Sequence, residues 1–432
     1  MRANGRASQV EVVIVGGGQA GLAVSYYLRA FGVGHVVLER GRVGESWRSA
    51  RWDSFTLVTP NWMNALPGYQ LTAGAAGEFL PRDTAVGLLD GFARGLPVHT
   101  DTEVLSVEVG DGGYDVVTTA DRMAARAVVV ASGGQRRPLI PGLASALPAD
   151  IHQIHAGHYR NPAALPPGAV LVVGSGQSGM QIATDLVLAG REVLLATSQV
   201  ARVPRRYRGR DCHEWSVELG LYDQPAETVS DPAEFRRPHP MLSGAHGGQT
   251  LSYQQLARYG VRLLGRLAGV DGYTLSFGPE LPRNIQHADQ GAEQFRRLVD
   301  EYVARAGIAA PPPDTDPAER PGPIAGEGPQ ALNTRAERIS TVLWCTGFGP
   351  DTGWLRVPVL RQDGAVEHAR GVTAFPCLYV VGHPWLSNRG SGLLYGVAAD
   401  ANRIAQHIVM DSAGRIPSAI PPPIPSAGRQ PS

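Results

Sequence analysis

At 432 residues the chain is longer than one compact core usually holds, which makes two domains the expected arrangement. Its 39 basic and 39 acidic residues balance; with 43% hydrophobic and 18% charged residues the composition excludes a disordered chain and gives no argument for nucleic acid or an acidic membrane as partner. All 39 basic residues are arginine, so Schiff-base chemistry and a lysine general base are excluded as well.

The first apolar run, Val12 to Val15, is too short for a signal-peptide core and ends in three glycines, so it reads as a strand. Gly16-Gly17-Gly18-Gln19-Ala20-Gly21 follows, then an apolar-periodic helix and a second strand at His35 to Leu38. In this arrangement Gly16, Gly18 and Gly21 supply a tight turn, close approach of backbone to a pyrophosphate, and close helix-on-strand packing, while the helix N-terminus faces the negative charge. Glu39 ends the second strand, where a carboxylate accepts from adenosine ribose hydroxyls and repels a 2′-phosphate, selecting FAD or NAD over NADP. Arg40 and Val104 join the candidate contacts of this nucleotide. Glu103 to Val109 and Tyr114 to Thr119 alternate as antiparallel strands do, and the wholly apolar Ala127 to Ala131 suits a buried parallel strand.

The opening pattern then recurs. Val170 to Val173 leads into Gly174-Ser175-Gly176-Gln177-Ser178-Gly179, with the next strand at Glu192 to Leu195. No acid stands at its end; Ser198, followed by Arg202, Arg205 and Arg206, suits a ribose 2′-phosphate and so NADPH over NADH. From about 208 to 333 no strand–helix alternation is legible, and this stretch reads as an insertion with a Pro-rich portion near Ala310 to Pro329. Within it Phe295, Leu298, Val299, Tyr302 and Val303 form a helical stripe of core type. Thr341 to Cys345 and Cys377 to Val381 read as further buried strands, and Gly392 to Ile408 as a final helix packing back on the first domain. Its N-terminus, behind Asn388 to Gly392, is expected to face a flavin pyrimidine edge, with Ser391 serving equally well as a plain cap. Residues after Ala413 are rich in Pro and Ser and are expected to be disordered.

The expected fold is α/β with two Rossmann-like dinucleotide-binding domains. The FAD domain is discontinuous (9–164 and 336–412), the NADPH domain (165–335, with the 208–333 insertion) sits inside it, and 413–432 is a tail. Cys212, Cys345 and Cys377 are far apart and form no CxxC, which fits a reducing cytoplasm and gives no structural metal; no stretch is long and apolar enough to span a bilayer. Two such sites make a machine for hydride transfer from NADPH to FAD. With no cysteine pair to receive the electrons, oxygen, an electron carrier or a small organic acceptor remains.

Gly44-Glu45-Ser46-Trp47-Arg48 with Arg51-Trp52-Asp53, the Thr59-Pro60 pair, and Ala131-Ser132-Gly133 leading to Pro138, Pro141 and Gly142 resemble segments of the flavin-containing monooxygenases and their plant auxin-forming relatives. Cys345-Thr346-Gly347-Phe348 and Leu378-Tyr379-Val380-Val381-Gly382 resemble that family's late strand ends, so the resemblance covers roughly residues 9–206 and 338–408. It implies that reduced FAD adds O₂ as a flavin C4a-(hydro)peroxide and passes one oxygen atom to a small organic substrate while NADP⁺ stays bound. It further implies FAD contacts at Trp47, Thr59, Ser132, Gly133, Gly382, Ser391 and Gly392, with Trp47, Thr59, Trp62 and Trp385 as candidates for the pocket wall. No protein acid or base is needed.

Three departures stand out. The fingerprint FxGxxxHxxx(Y/F) survives only as His155 and Tyr159, with Ala149 and Ile151 in place of Phe and Gly; Val58 replaces a flavin-side asparagine; and His383 replaces an acid after Gly382. The marks of the Baeyer–Villiger branch are missing from Tyr159-Arg160-Asn161-Pro162 and from Asp53 to Leu57, which puts oxidation at nitrogen or sulfur ahead of oxygen insertion. An NADPH-dependent reductase serving a quinone or protein carrier, and a non-catalytic redox sensor, stay open, as does the oligomeric state.

Overall fold

The computed structural model describes residues 8–70, 74–324 and 326–412; the Pro-rich tail expected at 413–432 lies outside them. In β1 (Ser8–Val15) the residues Val12, Val13 and Ile14 are wholly buried, as a strand covered on both faces requires. Helix α1 (Gln19–Ala30) returns the chain to β2 (His35–Leu38), which runs parallel to β1 in the register Val12↔His35 to Val15↔Leu38. β3 (Val98–His99) extends this edge, and a meander of β4 (Val104–Gly110), β5 (Gly113–Thr118) and β6 (Arg122–Val130) brings the chain back beside β1. The strand order is β3-β2-β1-β6-β5-β4.

A second, all-parallel sheet follows. Its strands are β7 (His152–His155), β8 (Ala169–Val173), β9 (Val193–Ala196) beyond helix α2 (Gln177–Leu188), and, past α3 (Cys212–Glu218) and α4 (Tyr253–Arg258), β10 (Arg262–Leu264). After the 26-residue helix α5 (Leu281–Ala306), β11 (Ile339–Trp344) enters its middle, giving the order β7-β11-β8-β9-β10. The chain then re-enters the first sheet: β12 (Leu378–Val380) pairs parallel with β6, and α6 (Leu394–Ser412) packs on α1. The fold is two Rossmann-like domains.

Three expectations are corrected. Part of the 208–333 stretch belongs to the second sheet, because α4 and β10 continue it past β9; a strand as short as Arg262-Leu263-Leu264 leaves no periodic trace. On α5 the buried face runs Leu281, Asn284, Ala288, Ala292, Phe295, Val299, whereas Leu298 is 38% exposed, since one residue's rotation carries it off the stripe. Helix α6 starts at Leu394 and not at Gly392, whose φ of +84° is outside the helical region.

The domains are tied directly. Asp185 on α2 accepts from the Tyr159 hydroxyl at 2.6 Å and from Ser54 at 2.7 Å, and Asn161 donates to Asp53 at 2.7 Å. Tyr159 is fully buried, so its hydroxyl depends on that carboxylate.

Candidate functional site

The first crevice opens where β1, β6 and β12 end. Gly16 has φ +116°, and a Cβ there would lie 2.5 Å from the Ala131 carbonyl oxygen; a Cβ on Gly21 would overlap the Gly16 carbonyl. A Cβ on Gly18 meets no protein atom within 4 Å, so the space above this turn is open at the N-terminus of α1. Buried Glu39 accepts from the Gly17 amide at 2.7 Å and from the Gly41 amide at 3.0 Å, which fixes its carboxylate at the rim. Thr102 donates its amide to the Glu39 carbonyl at 2.9 Å and so brings buried Val104 to the same end. Arg40 instead turns outward to Asp351 (3.3 Å) and Glu103 (3.8 Å).

Around this crevice three polar atoms, Gln19 Oε1, Ser132 Oγ and His383 Nε2, are closed off from solvent and have no hydrogen-bond partner. They belong to one neighbourhood. Gln19 Nε2 donates to the Gly392 carbonyl at 2.7 Å, a Cβ on Gly392 would lie 3.1 Å from the His383 carbonyl carbon, and a Cβ on Gly16 would lie 3.1 Å from Ser132 Cα. Gly382, at φ +80°, abuts Ala20 on the first turn of α1. A buried acceptor such as Gln19 Oε1 needs a donor, which a pyrophosphate lacks and the ribityl hydroxyls of FAD possess. The residues present therefore fit FAD. Burial holds the His383 imidazole down to about 4, so the group that follows Gly382 is neutral.

The other expected flavin-side residues are held as follows. Half-buried Trp47 packs on Phe55 with the Arg51 guanidinium 5.7 Å from its ring centroid. Thr59 donates to Asn64 Oδ1 at 2.6 Å, and Gly133 (φ +77°) has open space where a Cβ would stand. Ser391 accepts from the Ser387 and Asn388 amides at 3.1 and 3.2 Å; it closes its own loop and does not cap α6. Trp385 sits edge-on to Phe235 of the insertion. Asn61 and Asn64, 1% and 0% exposed in the turn after Val58, went unnoticed in the sequence, where two asparagines near a proline read as loop.

The second crevice repeats the first. Gly174 has φ +101° and would carry a Cβ 2.6 Å from the Cys345 carbonyl oxygen, Gly179 would overlap the Gly174 carbonyl, and Gly176 faces open space. Ser198 Oγ accepts from the Ser175 amide at 3.4 Å, the counterpart of the bond from Gly17 to Glu39. The position equivalent to Glu39 is Thr197, whose hydroxyl is turned inward to the Leu264 carbonyl at 2.7 Å. Tyr253, unforeseen because it lies in the unpatterned stretch, bonds Ser175 Oγ at 2.7 Å and the Ser198 carbonyl at 3.0 Å. Ser178 is half-buried in the first turn of α2, and Gln177 donates to the Pro240 carbonyl at 2.9 Å, so it holds the insertion.

The arginines do not gather at Ser198 as their spacing suggested. Arg202, 4% exposed, is paired with Asp289 at 2.7 Å and with Glu319; Arg205, 1% exposed, is paired with Asp211 at 2.8 Å and donates to the Val58 carbonyl at 2.9 Å. A guanidinium buried this deeply requires its counter-ion, and a nucleotide phosphate would have to displace it. Arg206 donates to the Gly247 and Gly248 carbonyls at 2.8 and 3.0 Å. His155 is likewise fixed: Nε2 bonds the Gly347 carbonyl at 3.0 Å, Nδ1 accepts from the Gly157 amide at 3.1 Å, and the ring meets Phe348 edge-on. It pins the interdomain linker.

Asp211, Cys212 and His213 bring their ligand atoms within 4.8 Å of one another. Asp211 is already matched by Arg205 and caps α3, and burial pushes the Cys212 thiol up to about 12, so the trio is structural.

His213, His368 and His383 are each held down to about 4, chiefly by burial. Above the unfolded value near 6.5 both folded and unfolded states are neutral and nothing is lost. Below it only the unfolded chain takes protons, so each histidine removes up to about 1.4 kcal/mol of stability per pH unit down to its folded value. The unfolding midpoint is expected to be flat between about pH 8 and 7 and to fall steeply below about pH 6, with His368→Asn making the fall shallower. A midpoint unchanged down to about pH 4.5 would contradict the burial of these rings.

Residues 13–208 match the family model described as pyridine nucleotide-disulphide oxidoreductase. The CzcO-like oxidoreductase of Geobacillus kaustophilus is 31% identical over 405 residues, covering 93% of this chain and 98% of that protein. Indole-3-pyruvate monooxygenase YUCCA4 of Oryza sativa subsp. japonica is 34% identical over 195 residues, 40% of this chain and 44% of its own length. Among solved structures, a flavin-containing monooxygenase from Stenotrophomonas maltophilia superposes with a TM-score of 0.62 at 20% identity, covering 93% of this chain and 98% of that one. Among the described residues no helix is long and apolar enough to cross a membrane.

Proposed function

We propose, from the chain's membership of the family of the CzcO-like oxidoreductases, that it is an FAD- and NADPH-dependent flavin monooxygenase that oxygenates a small organic substrate at nitrogen or sulfur. The observation carrying this reading is the pair of matched glycine turns, one beside the unpartnered polar atoms that fit FAD, in a chain whose three cysteines are all free. Bound FAD, reduced by NADPH, supplies the activation of oxygen.

The chain's own residues do the rest. The open face of Gly18 and the N-terminus of α1 receive the diphosphate, Glu39 receives the adenosine ribose, and Gln19, Ser132 and His383 receive the ribityl hydroxyls. Gly176 and α2 receive NADPH, with Ser198 at its ribose. The insertion, tied to α2 through Gln177 and packed on the Leu57 carbonyl at Gly244, covers the crevice and keeps water from the reacting atoms.

Anaerobic NADPH should bleach the flavin, and admitting O₂ should restore it in two spectral phases while NADP⁺ is bound, with an oxygenated amine or thioether formed. Single-phase reoxidation with and without NADP⁺, joined to fast turnover on a quinone, would move the assignment to a reductase.

A further inference from the structure

The insertion reaches the flavin side through a clasp. Ala226 donates its amide to the Ser387 carbonyl at 2.9 Å, Arg389 to Gln224 at 3.0 Å and Gly390 to Tyr222 at 2.8 Å, so residues 222–226 pair with the loop that leads into α6. That loop is also bound to the first glycine turn, through Gln19 on Gly392. Gly390 permits the approach, since a Cβ there would lie 3.1 Å from the Tyr222 carbonyl oxygen and 3.3 Å from Tyr222 Cβ.

From the clasp a continuous aromatic wall extends. Asp211 caps α3 by accepting from the His213 amide at 2.9 Å, which sets the His213 ring against Tyr222 (centroids 5.9 Å apart, planes at 29°) with its Nδ1 bonded to the Tyr222 hydroxyl. Tyr222 meets Tyr395 on the first turn of α6 at 5.7 Å, and Tyr395 meets Trp62 edge-on at 6.5 Å. The wall carries no net charge: burial keeps His213 neutral, and the Arg205 charge is matched by Asp211. At its far end the Trp62 indole N–H is closed off from solvent and has no acceptor. Leaving such a donor unmatched is costly, and a ligand offering an acceptor there would recover the cost.

We propose that this wall selects the oxygenated substrate, and that the substrate is a planar aromatic compound, uncharged where it meets the wall, that presents a carbonyl oxygen or ring nitrogen to Trp62 Nε1. The assignment rests on the monooxygenase reading and names its substrate class. Three elements distant in sequence, the 57–64 turn, the insertion and α6, each supply one part of it.

The test is titration of the holoprotein with acetophenone, cyclohexyl methyl ketone and benzoate, following the visible flavin band. Acetophenone should bind at least tenfold more tightly than the non-planar ketone or the anion. Trp62→Phe, which keeps the ring and removes the donor, should weaken acetophenone about tenfold and leave the flavin content unchanged, while Tyr222→Leu should erase the preference for the planar ketone. Equal binding of the three probes, or Trp62→Phe binding acetophenone as the native protein does, overturns the substrate class. Reoxidation of the NADPH-bleached native flavin by air, read in the same samples, separates the two claims: two-phase reoxidation without aromatic preference removes only the substrate class, and single-phase reoxidation with and without NADP⁺ removes the monooxygenase reading and this inference with it.

Discussion

Gly18→Ala is expected to give a folded protein that has lost its flavin. A methyl at this position meets no protein atom within 4 Å, and φ at Gly18 is −86°, which alanine adopts without strain. The space it enters is the one where backbone approaches the diphosphate, so the penalty falls on the cofactor alone. A loss of about a hundredfold in FAD affinity, about 2.7 kcal/mol, is the expected size. Gly16→Ala behaves differently: at φ +116° with the Ala131 carbonyl oxygen 2.5 Å away, it damages the turn itself and lowers the melting temperature as well. Flavin absorbance per chain and a thermal melt on each variant make the check. Full flavin in Gly18→Ala removes the first crevice as the FAD site; equal melting of both variants removes the distinction drawn here.

The second large effect concerns the nicotinamide. Ser198 makes with the Ser175 amide the contact that Glu39 makes with Gly17, so Ser198→Glu should rebuild the rim of the first crevice in the second. A carboxylate there repels a 2′-phosphate and welcomes free ribose hydroxyls, so the ratio of kcat/KM for NADPH over NADH should fall by about one to two orders of magnitude. Arg202→Gln provides the contrast. Its charge is engaged by Asp289 and Glu319, so the coenzyme ratio should stay put while stability drops by less than the about 3–5 kcal/mol of a fully broken buried pair, because Glu319 keeps Arg296 and Asp289 keeps Gln254. A coenzyme ratio that follows Arg202 and ignores Ser198 would reverse these roles.

The sequence by itself determined the two glycine turns, the acid at one rim and the hydroxyl at the other, and the discontinuous course of the first sheet. The turns and the apolar strands are local properties. Gly16 and Gly174 are needed for positive φ, and Val12 to Ile14 or Val170 to Val172 are apolar because both their faces are covered, so the pattern survives in one dimension.

Only the tertiary structure decided what the side chains near those turns do. Arg202 stands a few residues from Ser198, yet its partners Asp289 and Glu319 come from elsewhere in the chain, and a buried cation goes where its counter-ion is. Tyr253 reaches Ser175 from 78 positions away, and the wall of Trp62, Tyr222 and Tyr395 draws on three separate segments. Such contacts leave no periodicity behind, because a side chain's burial and pairing depend on which surfaces the folded backbone brings together and not on the spacing of residues along it.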